Sequence, residues 1–201
     1  MAHALLVIDA QQSFLRRESW TAASDPDVAD RIAVLVDHAR ERGDLVVWVL
    51  HAEPGTGTVF DPDRGFVELM DGLVPRTGEP VRTKSVHNAI TGADLHGYLT
   101  ERAVDEVTVC GVRTEQCCET TARVASDLGY RVTFAVDATA TEPIEAPGAP
   151  AGRSLEEVLA DPATLLPDAI IRRTVYALSG RFAEVRTVAE ITEGAATLTG
   201  S

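Results

Sequence analysis

The three cysteines of the chain lie close together, and one of them stands where a nucleophile is expected. Cys117 follows a predicted strand and a short turn and begins a predicted helix, where free backbone N–H groups and the helix dipole favour an anion. A thiol in that place has a lowered pKa, and the same N–H groups can hold the oxyanion of a tetrahedral intermediate. The alternative is a small buried apolar residue, as most free cysteines are. Cys110 lies inside an apolar strand, and Cys118 is expected to face the sheet.

Two further residues could activate this thiol. Asp9 ends an apolar strand, where a carboxylate is costly unless it is solvated, paired or bound to a metal. A phosphotransferase nucleophile would want a second aspartate two residues later, but that residue is Gln11, so Asp9 is interpreted as a general base. The alternative is a structural hydrogen bond to a neighbouring loop. Lys84 could pair with Asp9 and favour the thiolate, although such a lysine is usually solvated.

Aromatic and histidine side chains follow the first two predicted strands. His51 ends the second strand and either lines a pocket or serves as a satisfied polar residue. A metal site needs several ligands close together, and the next histidine is His87, so no metal is predicted. Other acidic residues are available between them: Glu53, Asp61 and Asp63. Phe14 and Trp20 could form an apolar wall for a substrate, with ordinary core packing as the alternative.

Strands alternate with helices along the chain, which predicts a mostly parallel sheet with helices on both faces. The predicted strands are 4–8, 45–50, 81–83, 106–110, 131–136 and 183–188. One predicted helix begins near Val28 and ends at Gly43. Further helices are predicted at 94–102, 117–128, 155–159 and 169–178. Active sites of such sheets lie outside the carboxyl ends of the strands. Asp9, His51, Lys84 and the turn before Cys117 all fall there.

Length and charge limit the classes of function. The 201 residues fit one domain, 1–201, and a Pro-rich excursion spans about 142–167. The net charge of -13 argues against nucleic acid and anionic membrane as partners. An odd, small number of cysteines predicts a reducing, cytoplasmic compartment, and no secretory signal or apolar run of about 20 residues is evident. The tail after Gly194 is expected to fray.

Three segments together resemble the isochorismatase-like cysteine hydrolase family. The segment LLVIDAQQSF at 5–14 resembles an apolar run followed by D-x-Q-x-x-F. The segment KSVHNAI at 84–90 is similar to K-x-x-x-[S/N]-A-F, with Ile90 in place of the usual phenylalanine. The segment GVRTEQCCETTA, from residue 111, resembles G-x-x-T-x-x-C-V-x-x-T, with Cys118 in place of the usual valine.

The resemblance implies a fold and a set of site residues. The fold is a Rossmann-like three-layer α/β/α sandwich around a six-stranded sheet, and the protein is expected to be a homo-oligomer, a dimer or a tetramer. The catalytic triad would be Asp9, Lys84 and Cys117, and the backbone N–H groups of Arg113 and Cys117 would form the oxyanion hole after a cis peptide at 112–113. The candidate substrate-binding residues are Phe14, Trp20, His51 and Asn88.

The resemblance also limits the reaction. True isochorismatases cleave an enol ether through the aspartate and lack the cysteine, so Cys117 favours hydrolysis of an amide, carbamoyl or cyclic amide C–N bond of a small molecule. Nicotinamidases usually bind a metal through an aspartate and several histidines, and here only His51 lies in that region, so no cofactor is predicted. Two alternatives stay open: ether hydrolysis driven by Asp9, and a catalytically degenerate binding protein.

Overall fold

A single all-parallel sheet forms the centre of the computed structural model, which describes residues 2–194. Its strand order is β3-β2-β1-β4-β5-β6, so the order reverses between β1 and β4. The strands are β1 (Ala2–Ile8), β2 (Leu45–His51), β3 (Val81–Lys84), β4 (Val104–Val112), β5 (Arg131–Ala140) and β6 (Glu184–Arg186). The predicted six-stranded α/β sandwich is confirmed. The tail after Gly194, which was predicted to fray, lies outside the described residues.

Helices follow most of the strands. They are α1 (Gln12–Leu15), α2 (Val28–Arg42), α3 (Ala89–Gly92), α4 (Leu95–Thr100), α5 (Glu119–Asp127), α6 (Leu155–Ala160), α7 (Pro167–Leu178) and α8 (Val188–Thr192). Two 3-10 turns, at Glu18–Ala22 and Pro62–Arg64, and a π turn at Thr114–Cys118 complete the regular structure. Gly43 ends α2 in the left-handed conformation, with φ of 74°, as predicted. Within residues 2–194, no helix is long and apolar enough to cross a membrane.

The sheet separates two apolar cores. In β1, Leu6 and Ile8 face one core and Leu5 and Val7 face the other, because side chains alternate along a strand. The first core includes Ala122 and other residues of α5, and the second includes the apolar stripe of α2. Both faces of β1 are therefore covered, which explains its unbroken apolar run.

Several element boundaries differ from the prediction. Asp94 is left-handed, with φ of 51°, so the predicted helix 94–102 begins only at Leu95. The helix predicted from Cys117 begins at Glu119, because residues 114–118 form the π turn. A register shift after Val109 lets β5 continue well beyond residue 136, to its end at Ala140.

The Pro-rich excursion is an ordered loop around α6. An antiparallel bridge between Ile144 and Leu165 closes its base. Ser154 and Glu157 form a capping box at the start of α6, and Arg153 bonds to both Glu145 and Asp161. These contacts hold the excursion beside the carboxyl edge of the sheet, where it walls a cavity of about 400 Å³ next to Gln116.

Candidate active site

Four neighbouring strands bring polar side chains to one edge of the sheet. Asp9 follows β1 directly and is left-handed, with φ of 51°, a conformation that aspartate tolerates better than most residues. Lys84 ends β3 and pairs in register with His51, which ends β2. Cys117 lies in the π turn after β4, and π turns are frequent at functional sites. The convergence of strand ends therefore brings together the residues that the sequence pattern singled out.

Lys84 connects the carboxylate and the thiol. Its Nζ donates a hydrogen bond to Asp9 Oδ2 at 2.7 Å and lies 3.4 Å from Cys117 Sγ. The side chains of Asp9 and Lys84 are both fully buried. A buried charge pair of this kind needs good geometry to persist, because neither partner is stabilised by water. One ammonium thus contacts both groups that a thiol-activating site requires.

Burial sets the ionisation of this group. It raises the pKa of Asp9, although the Lys84 charge and the nearby Cys117 thiol act in the opposite direction. It also raises the pKa of Cys117, and the Asp9 charge raises it further, while Lys84 lowers it. The expectation of a lowered pKa at Cys117 is therefore wrong. The cause is that Cys117 is only 6% exposed and faces a carboxylate, and lies before the helix rather than at its first free N–H groups.

The carboxylate keeps one oxygen without an ordinary hydrogen bond. Among residues 2–194, no hydrogen-bond partner reaches Asp9 Oδ1, although the Cys117 thiol lies close enough to affect the carboxyl pKa. A buried oxygen without a partner costs free energy, and such atoms call for a functional or structural explanation. The free oxygen of Asp9 is available to accept a proton.

The turn before Cys117 has unusual backbone geometry. The peptide bond between Val112 and Arg113 is cis, as the resemblance implies. The Arg113 carbonyl accepts hydrogen bonds from the backbone N–H groups of Gln116 and Cys118, both at 3.2 Å. The Arg113 side chain binds Thr141 and the backbone carbonyl of residue 142. Its guanidinium is thus held against the excursion, and the oxyanion role of the backbone N–H groups stays a prediction.

Aromatic rings line the way from the core to the thiol. The Phe14 ring lies 5.9 Å from Trp20 and 5.1 Å from Phe60, measured between centroids. His51 continues the row, 5.7 Å from Phe60 and 6.5 Å from the parallel ring of His87. Phe14 and Trp20 are buried in the second core, and their substrate-binding role stays a prediction. Phe60 was missed because its irregular segment offers no periodicity to place it.

His87 and Asn88 take different positions. His87 is exposed, and its Nδ1 lies 3.7 Å from Cys117 Sγ. His87 was not among the predicted site residues, although its place three residues after Lys84 in the same motif was a usable signal. The Asn88 side chain accepts a hydrogen bond from Ile90 N–H and donates one to Thr91, so it caps α3. Its binding role stays a prediction.

The residues around His51 do not fit a metal centre. Its Nε2 lies 3.3 Å from a Glu53 oxygen. In the described part of the chain, no three histidine, cysteine, aspartate or glutamate side chains are grouped so as to hold a metal ion. A structural zinc or similar ion needs three or four such ligands.

Comparisons with known proteins show which family the chain resembles. The isochorismatase domain model matches residues 3–163. Streptothricin hydrolase of Streptomyces noursei is 35% identical over 176 residues, which cover 83% of this chain and 68% of that protein. Nicotinamidase 3 of Arabidopsis thaliana is 34% identical over 148 residues, which cover 69% of this chain and 73% of that protein. The structure of an isochorismatase-family protein from Chromobacterium violaceum has a TM-score of 0.82 at 26% identity, covering 96% of this chain and 92% of that one. The chain therefore belongs to the isochorismatase-like family of hydrolases.

Proposed function

We propose that this protein is a cysteine hydrolase that cleaves a C–N bond of a small molecule through a thioester. The substrate class is an amide, a carbamoyl compound or a cyclic amide. The observation that carries the proposal is the position of Lys84 Nζ, which is 2.7 Å from Asp9 Oδ2 and 3.4 Å from Cys117 Sγ. A nucleophile beside a base that is itself held by a third group is the usual arrangement for covalent catalysis.

The first half of the reaction forms the thioester. Asp9 takes the thiol proton as Sγ of Cys117 attacks the carbonyl carbon. Burial raises the pKa of Asp9, which makes the carboxylate a stronger base toward a thiol. Lys84 keeps the carboxylate in place, and its positive charge stabilises the negative charge that develops on the sulfur. The proton then passes from Asp9 to the leaving nitrogen, the C–N bond breaks, and the amine or ammonia departs.

The second half returns the enzyme to its resting state. Water attacks the thioester carbon, the C–S bond breaks, the acid product leaves, and the sulfur regains a proton. In both halves, we propose that the backbone N–H groups of Arg113 and Cys117 stabilise the oxyanion. The names of two relatives support hydrolysis of this kind: one is a nicotinamidase and the other a streptothricin hydrolase.

A second candidate function is hydrolysis of an enol ether driven by Asp9. Two observations favour it: among residues 2–194 no hydrogen-bond partner reaches Oδ1 of Asp9, and burial raises the pKa of Cys117, which disfavours the thiolate. In that reaction Asp9 would supply or accept the proton alone. A degenerate binding protein is a third reading, but Asp9, Lys84 and Cys117 are all present and in contact.

Variants of Cys117 and Asp9 distinguish C–N bond hydrolysis from ether hydrolysis. We expect Cys117→Ala and Cys117→Ser to lower kcat by about a thousandfold or more on any amide, carbamoyl or cyclic amide substrate found by screening. Under ether hydrolysis, Cys117→Ala keeps its activity on isochorismate, whereas Asp9→Asn does not. An amide-cleaving Cys117→Ala protein, folded by circular dichroism, would overturn the cysteine mechanism.

The setting of the protein is also a proposal. The three cysteines are free and buried, as they would be in a reducing, cytoplasmic compartment. The expected homo-oligomer, a dimer or a tetramer, stays a prediction, and light scattering coupled to gel filtration would measure it. The expected absence of nucleic-acid and membrane partners stays a prediction as well.

A further inference from the structure

His87 is an exposed side chain in contact with the sulfur of the proposed nucleophile. Its Nδ1 lies 3.7 Å from Cys117 Sγ, on the solvent side of a group whose other members, Asp9 and Lys84, are fully buried. The parallel ring of His51, with 7° between the two planes, lies 6.5 Å away between centroids. The His87 ring therefore touches the sulfur from the side that faces solvent.

The proposed reaction needs a proton acceptor twice, and the two occasions differ. In the first half, the proton leaves a thiol that faces buried Asp9. In the second half, the proton leaves a water molecule that must come from solvent. Asp9 is fully buried, and one of its oxygens is already bound to Lys84 at 2.7 Å. His87 is exposed and touches the same sulfur from the side that water can reach.

We infer that His87 is the base of the second half-reaction, which is an inference that rests on the proposed function. As water attacks the thioester carbon, His87 takes one proton from that water. The C–S bond breaks, and His87 passes the same proton to the departing sulfur. The products are the free acid and the neutral thiol of Cys117, so atoms and charges balance without any co-reactant. Asp9 and His87 thus each serve one half of the cycle.

The experiment uses a small acyl donor, so that no natural substrate is needed. Whole protein is acetylated with excess p-nitrophenyl acetate and then freed of reagent. Mass spectrometry of the Cys117 peptide follows both the gain and the loss of the acetyl group. The variant is His87→Gln, which keeps a polar side chain of similar length. The matched control is His38→Gln, which changes a histidine at the opposite edge of the sheet.

The inference predicts different effects of His87→Gln on the rate of acetylation and on the rate of deacetylation. We expect His87→Gln to acetylate at Cys117 as fast as the wild type but to lose the acetyl group roughly a hundredfold more slowly, which is the usual contribution of a general base. His38→Gln should match the wild type in both rates. A purely structural role would slow both rates together, because it would disturb the site before either step.

Two other results would each overturn a different claim: the role of His87, or the cysteine mechanism on which it rests. Equal loss of the acetyl group from His87→Gln and from the wild type would overturn the role of His87 and leave Asp9 as the base of both steps. No acetylation of Cys117 in the folded wild-type protein, when the unfolded protein reacts at all three cysteines, would overturn the proposed cysteine mechanism itself.

Discussion

Replacing Asp9 by asparagine should make Cys117 more reactive while abolishing turnover. The Asp9 charge raises the pKa of Cys117, and the Lys84 charge lowers it. Asp9→Asn removes the first effect and leaves the second unopposed. The pKa of Cys117 therefore falls, and more of the sulfur is thiolate at neutral pH. The variant also lacks the base that takes the thiol proton, so catalysis and thiol reactivity should change in opposite directions.

The size of the effect follows from one distance. Lys84 Nζ lies 3.4 Å from Cys117 Sγ. At an effective dielectric constant of about 20, a charge pair at that separation gains roughly 5 kcal/mol, an upper limit that the wild-type Asp9 charge largely offsets. If only about 1.4 kcal/mol of this becomes available in the variant, the thiolate population rises about tenfold. We therefore expect alkylation of Cys117 to be at least about tenfold faster.

Iodoacetamide labelling, read site by site by mass spectrometry, measures this rate. Cys110 and Cys118 are fully buried and serve as controls within the same molecule, since they label only when the chain unfolds. Fast labelling at Cys117 alone in Asp9→Asn supports the electrostatic argument. Unchanged or slower labelling of a folded variant would refute it, because it would mean that Lys84 carries no net charge once its partner is removed.

Two further changes test the surroundings of the site. Lys84→Met removes the positive charge that most strongly lowers the pKa of Asp9. Ionised Asp9 is then buried without a partner and should destabilise the fold by roughly 3–5 kcal/mol at neutral pH. Stability should recover as acid protonates Asp9. Urea titrations at neutral and mildly acidic pH measure this, and a loss that does not shrink in acid would contradict it. Gly111→Ala places a Cβ 1.8 Å from the Ile8 carbonyl oxygen, whereas Gly129→Ala meets nothing within 4 Å, so only the first should cost far more than the ~1 kcal/mol of a left-handed alanine. Equal losses in the two glycine variants would show that the close approach at Ile8 is relieved at little cost.

The sequence was informative wherever a pattern had a geometric meaning. The apolar runs before Asp9 and His51 could be assigned to buried parallel strands, and parallel strands present their carboxyl ends at one edge. That rule was enough to expect Asp9, Lys84 and the turn before Cys117 at one place. The family resemblance then indicated the cis peptide at residue 113, for which no local propensity exists.

Side-chain contacts and pKa values could not be derived in the same way. The pKa of Cys117 depends on how deeply the π turn lies and on the distance to Asp9, and neither quantity is encoded in a helical pattern. The sequence pattern named Asn88 as a candidate binding residue, but it could not show that the Asn88 amide oxygen also accepts a hydrogen bond in the first turn of α3. Phe60 reaches the site from a segment rich in proline and glycine, where periodicity carries no information.

The strand order has a consequence for how activity appears during folding. Lys84 and Asp9 are 75 residues apart, and Lys84 and Cys117 are 33 apart, so no short piece of the chain contains the site. Sheets built only from such distant pairings form slowly, because each pairing closes a long loop before it gains any contact. Protection of Cys110 within β4 should therefore precede the first catalytic turnover in a refolding experiment, and the interval between them would time the docking of β3 onto β2.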